Sequence, residues 1–126
     1  MRFHIDLPWS KPPLSLNYRM NRWDHARVVK EVREAAAWMA KQRKIGAHER
    51  VQVALHIQPR DRRARDDENP VPTLKALCDG LVDAGVVVGD TAKHMRKEMP
   101  VIHESVKGQP ACMWLVVTVL DESEVA

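Results

Sequence analysis

The sequence predicts an α/β (α+β) domain in which helices pack on a mixed β-sheet containing a βαβ unit. Three observations lead there. Val51, Val53, Leu55 and Ile57 alternate with Gln52, Ala54, His56 and Gln58, the period of two expected from a strand with one buried face. Residues 24–39 and 74–82 instead repeat their apolar side chains at helical spacing. Residues 113–120 are largely apolar on both faces, as suits a strand in the middle of a sheet. With 126 residues the chain is long enough for one hydrophobic core and short for two, so residues 1–126 read as a single domain.

In chain order, Phe3, Ile5 and Leu7 face one way and Arg2, His4 and Asp6 the other, a half-buried first strand. Pro8, Pro12 and Pro13 stop regular pairing, because proline lacks an amide hydrogen and fixes its own φ. In the stiff loop that results, Trp9 and Tyr18 are interspersed with Lys11, Arg19 and Arg22, a mixture suited to stacking on bases while neutralising phosphates. The alternative is a loop whose aromatics pack on the core. Asp24 is the predicted N-cap of a long helix. Val28, Val29, Val32, Ala35, Ala36 and Met39 form its inner face, Arg27, Lys30, Arg33, Glu34 and Lys41 its outer face, and Gly46 is a natural stop. The strand at residues 51–57 follows, with His56 on its outward side as a solvated or hydrogen-bonded residue. Leu74, Leu77, Cys78, Leu81 and Val82 then make the apolar face of a second helix over residues 73–84, ended by Gly85. Residues 86–88 are expected as a short buried strand, 100–106 as a weak one and 113–120 as a central one. The acidic tail from Asp121 should fray.

Lysine and arginine number 20 against 17 acids, a net charge of only +3, but the basic residues cluster locally. Such clustering favours an anionic partner, nucleic acid before a membrane surface. No apolar run approaches the roughly 20 residues of a bilayer-spanning helix, and the start lacks a secretory pattern. A soluble, cytoplasmic protein is therefore expected. Cys78 and Cys112 lack the close spacing of a zinc or redox pair and read as two buried apolar residues. The six histidines include no i, i+4 pair, which argues against zinc.

The densest chemistry lies between Arg60 and Asp90. If the strand at 51–57, the helix at 73–84 and the strand at 86–88 form one right-handed βαβ unit, the helix runs back for about 18 Å and residues 86–90 climb forward again by roughly 13–16 Å. Asp90 would then arrive near the edge that holds Asp66, Asp67 and Glu68, and Lys75 would begin there too. In extended chain Asp66 and Glu68 point the same way while Asp67 turns aside. Three hard carboxylates suit Mg2+, which keeps waters and so leaves room for a phosphate oxygen. Lys75 could stabilise charge growing on that phosphate. Arg60, Arg62, Arg63 and Arg65 could neutralise backbone phosphates without reading sequence. The competing reading is a solvated charged loop with Asn69 as helix cap and Lys75–Asp79 as an ordinary i, i+4 pair.

These residues resemble the signature of the RusA family of Holliday junction resolvases and related phage endodeoxyribonucleases. The arginine run 62–65, the Asp66-Asp67-Glu68-Asn69 string, Lys75 and Asp79, then Gly85 with an apolar run ending at Asp90, match its arginine run, D-x-D-N, helix lysine and aspartate, and terminal acid. The proline-rich entry with Asn17 and Asn21 resembles the family's N-terminal segment, and the match spans most of the chain. The resemblance implies a Mg2+-dependent homodimer, with Mn2+ as a substitute, that binds four-way branched DNA and nicks two strands symmetrically during recombination and repair. It implies a bacterial cytoplasm and a bacterial or phage gene. Asp66, Glu68 and Asp90 would be catalytic carboxylates and metal ligands, assisted by Lys75. Lys11, Asn17, Arg19, Asn21, Arg22, Arg60, Arg62, Arg63, Arg65 and Asn69 would contact DNA. The chain departs from the pattern at Glu68, where aspartate is usual, at an apparent insert Pro70-Val71-Pro72, and at Gly89, where a second acid often stands. A non-catalytic DNA-binding protein and a protein that assembles through its helices are the rival classes.

Overall fold

The computed structural model describes residues 1–120; the tail expected to fray from Asp121 lies outside them. Among the described residues the order is β1 (Arg2–Asp6), α1 (Arg22–Gln42), β2 (Val51–Gln58), α2 (Val71–Asp83), β3 (Met95–Lys97), β4 (Val101–Ile102) and β5 (Cys112–Val119). The sheet is mixed, as predicted. β5 lies between β1 and β2 and is antiparallel to both, with Leu115 opposite Ile5 on one side and Leu55 on the other. The central position expected for the last strand is therefore observed. β3 and β4 run parallel to β2, β3 beside Val51–Val53 and β4 beside His56 and Ile57.

The alternation along β2 is reproduced by burial. Val51, Val53, Leu55 and Ile57 are buried with Met113, Leu115 and Val117 of β5. Val32, Ala36 and Ala40 of α1 and Leu74, Leu77, Cys78 and Leu81 of α2 complete the same core, so both helices cover one face of the sheet. On the other face His56 accepts or donates one hydrogen bond with His103 (Nδ1 to Nε2, 2.9 Å), which satisfies the expectation of a hydrogen-bonded histidine. α1 and α2 pack in close contact at Gly80. A Cβ there would lie 2.4 Å from the Arg33 carbonyl oxygen and 2.6 Å from the Ala36 Cβ, so glycine is required by contact. Arg33, expected to face away from the core, clamps α2 from the rim through two bonds to Asp83 at 2.8 and 3.0 Å.

Several expectations are corrected. The N-cap of α1 is Asn21, whose Oδ1 accepts the Asp24 amide at 2.8 Å; Asp24 sits in the first turn, where its charge suits the helix dipole. Pro70 rather than Asn69 precedes α2, and Pro70-Val71-Pro72 leads straight into the helix, where a proline forfeits no intrahelical bond because the first amides have no partner within the helix. The βαβ crossover exists, but its return strand is β3, not residues 86–88. Val86 and Val87 are buried in a loop, with the Val86 carbonyl accepting the His48 amide at 2.8 Å, and the edge of β2 is taken from Val51 onward by β3. Of residues 100–106 only Val101 and Ile102 pair as strand. Cys78 is buried, which pushes its thiol up to about 12, but Cys112 is exposed at the start of β5.

Candidate active site

The chain leaves β2 at Gln58 and reaches α2 through residues 59–70, a segment held by its own charges. Asp61 accepts bonds from Arg63 (Nε at 3.2 Å, Nη2 at 3.0 Å) and from Arg65 Nη2 at 2.9 Å. Arg65 also donates from Nη1 to the carbonyls of Asp61 and Arg63 at 3.1 and 2.9 Å. Bonds from Arg63 hold the Asp61 carboxyl far below the usual range. Two of the four arginines thus build the loop, while Arg60 and Arg62 carry no ion pair among the described residues.

Asp66 closes the next turn: its Oδ1 accepts the Glu68 amide at 3.0 Å and its carbonyl accepts the Asn69 amide at 3.1 Å. Asp66, Asp67 and Glu68 are exposed. The Glu68 carbonyl then accepts the Val71 amide at 3.0 Å, handing the chain to α2.

Near the start of α2, Lys75 points at the loop after the helix. Its Nζ donates to Asp90 Oδ2 at 2.6 Å and to Asp79 Oδ1 at 2.9 Å. Lys97, the last residue of β3, donates to the same Asp90 Oδ2 at 3.2 Å. Two ammonium groups on one oxygen keep Asp90 ionised, with the Lys75 bond the larger cause and Lys97 second, and its carboxyl sits well below the ordinary value. Reciprocally, Lys75 is raised, first by Asp90 and then by Asp79. Asp90 and Lys97 are only 28% and 30% exposed, so solvent screens this pair less than it would at an open surface.

Lys75 and Asp90, 15 positions apart, are therefore joined, while neither Asp66 nor Glu68 bonds to them. Among the described residues no three of His, Cys, Asp and Glu form a group that could hold a metal ion. The reason is local. The path back from α2 is irregular rather than a strand climbing beside β2, and the Asp66 carboxylate is engaged by its own turn. The donor type, carboxylate oxygen, is nevertheless the one Mg2+ takes. Asp79 and Lys97 belong to the cluster and were undervalued or missed from sequence. The i, i+4 spacing pointed to Asp79, whereas Lys97 depends on the placement of β3, which carries no strong pattern.

The remaining expected DNA contacts divide. Lys11, Asn17 and Arg19 line an open cavity of about 780 Å³ beside Trp9 and Tyr18. Asn69 shares a smaller cavity of about 160 Å³ with Asn17, Tyr18, Arg65 and Asp66. Asn21 is engaged in capping α1. Arg22 lies over the Trp23 ring, 4.9 Å from its centroid, a cation–π contact at the exposed start of α1. None of the helices among the described residues is long and apolar enough to cross a membrane. Compared with protein-family models and with curated proteins, the chain finds no match.

Proposed function

We propose that the chain is a magnesium-dependent, structure-specific endodeoxyribonuclease of the RusA type, which as a homodimer nicks four-way branched DNA on two opposed strands. The observation that carries this reading is the pair of lysines on Asp90 Oδ2, one from the start of α2 and one from the end of β3. A carboxylate held ionised beside two cations suits a reaction that moves negative charge onto phosphate oxygens. Asp66, Glu68 and Asp90 would hold Mg2+, with Mn2+ as a substitute, once the locally shaped acidic turn brings its two carboxylates to Asp90; the bound ion would supply a polarised phosphate and a more acidic water. Lys75 and Lys97 stabilise the charge developing on the scissile phosphate and keep Asp90 deprotonated. Arg60 and Arg62, free of the Asp61 clamp, position neighbouring phosphates. Two-fold symmetry would place one such site on each of two strands.

A second reading has its own support. Arg60 and Arg62, which carry no ion pair among the described residues, and the basic wall of the N-terminal loop also suit a non-catalytic protein that binds branched DNA through its basic loops. Asp90→Asn separates the two readings. Under the nuclease reading, Mg2+-dependent cleavage of a labelled four-way junction falls by about 100-fold or more while binding to the junction survives. Cleavage at the normal rate would remove Asp90 from the site, and no cleavage by the unsubstituted protein with either metal would favour the binder.

A further inference from the structure

The N-terminal loop forms an open cavity that the lysine–aspartate cluster does not use. Its volume of about 780 Å³ falls within the range of small-ligand sites, roughly 300–1,000 Å³, and is far too small for a duplex. Trp9 and Tyr18 supply two aromatic rings to its wall, Lys11 and Arg19 two cations, and Asn17 an amide. No described residue lining it is acidic. The wall is held in shape before any ligand arrives. The Tyr18 hydroxyl donates to the Pro12 carbonyl at 2.8 Å. Beneath it, Leu14 is buried, its amide donates to Thr73 Oγ1 at 3.0 Å, and that hydroxyl donates back to the Leu14 carbonyl at 2.7 Å, tying the loop to α2. The Leu16 amide donates to the Asn69 carbonyl at 3.0 Å, tying it also to the acidic turn.

We infer that this cavity holds one unpaired nucleotide of single-stranded DNA, its base against Trp9 and Tyr18 and its phosphate toward Lys11 and Arg19. The chemistry selects that ligand: an aromatic face with flanking cations and no opposing carboxylate matches a base joined to a phosphate. Position supports it as well. The smaller cavity beside it shares Pro12, Asn17 and Tyr18 and leads to Arg65, Asp66 and Asn69, so a strand anchored in the first cavity can continue toward the acidic turn. In this respect the inference rests on the nuclease reading and deepens it, naming a substrate with an unpaired base next to the nick.

The test compares a short thymidine oligonucleotide with the same phosphate chain carrying abasic sugars, each measured for affinity without metal. Phosphate contacts are common to both, so only base stacking separates them. The unsubstituted protein should prefer the base-bearing chain by about 5- to 150-fold, the equivalent of about 1–3 kcal/mol per stacked base. Tyr18→Ala should remove most of that preference. Trp9→Ala should do the same, but Trp9 also packs on the core; Tyr18 is exposed, and Tyr18→Phe, which loses the Pro12 bond and keeps the ring, should retain the preference. Lys11→Ala and Arg19→Ala should weaken both chains alike. Equal affinity for the two chains, or a preference that survives Tyr18→Ala in a protein with unchanged circular dichroism, would overturn the assignment. Because the measurement needs no cleavage, lost preference with intact junction cleavage sinks the pocket alone, and intact preference without cleavage sinks the nuclease reading alone.

Discussion

Asp90 and Asp66 flank the same helix and are held in opposite ways. Asp90 is gripped by side chains from two regular elements, Lys75 of α2 and Lys97 of β3. Asp66 is gripped by an amide two residues along its own loop. The same contrast separates Arg33, which joins α1 to Asp83 of α2, from Arg63 and Arg65, which fold onto Asp61 nearby. Where regular elements carry the charges, core packing sets their separation. In the loop each charge answers mainly to its neighbours in sequence, and exposed pairs of that kind add little stability. The core therefore positions the Asp90 cluster, whereas the acidic turn is shaped locally and can be reshaped without unfolding the sheet.

The strongest way to break this comparison is to move α2. Gly80→Val places atoms against the Arg33 carbonyl, which no side-chain rotation relieves, and should reduce stability by about 1–3 kcal/mol in urea denaturation. If packing sets the cluster, the Asp90 carboxyl should also titrate closer to its ordinary value, followed by carboxyl NMR. An unchanged Asp90 would show that the cluster is as local as the acidic turn.

A smaller effect is expected from replacing Lys75 and Lys97 together by methionine, which should raise Asp90 toward the ordinary aspartate value of about 3.9. Because the folded value is depressed, the stability it brings is present above the unfolded value and lost as pH falls through the folded one. Lys75 is raised, so its contribution is present below about 10.4 and lost as pH rises through its folded value. The unsubstituted protein should thus lose stability at both ends of the pH range more steeply than the double variant. Parallel curves for the two proteins would deny the cluster its role in folding.

Much of this division was legible in the sequence. The alternation of β2, the apolar faces of the helices and the two-sided β5 are periodic signals, and periodicity survives folding because burial creates it. Residues 86–88 misled because a short apolar run reads alike as buried strand or buried loop; here the Val86 carbonyl pairs with the His48 amide while β3 takes the edge of β2. β3, reading Met-Arg-Lys, has one buried residue and no alternation long enough to find, so Lys97 could not be assigned to the site. Cys112 looked buried by residue type, yet it opens β5 on the exposed side. Lys75 and Asp90 were nameable because a helix and a short return run separate them, although the run expected as a strand is a loop. The seating of Asp66 on its own turn depended on side-chain orientation, which spacing does not determine.

The smallest effect should come from Asp61→Asn. The loop would lose the acceptor that draws Arg63 and Arg65 inward, yet none of the three belongs to the hydrophobic core, so the thermal midpoint should stay where it is. Locally the change should be plain. The Arg63 amide, which donates to Asp61 Oδ1 at 3.1 Å, should exchange faster, and trypsin should cut sooner within residues 60–65. Removing one negative charge and releasing two guanidinium groups should also steepen the salt dependence of binding to a four-way junction. A lowered midpoint would mean that the arginine loop belongs to the cooperative fold. The contrast between an element-held Asp90 and a loop-held Asp66 would then become one of degree.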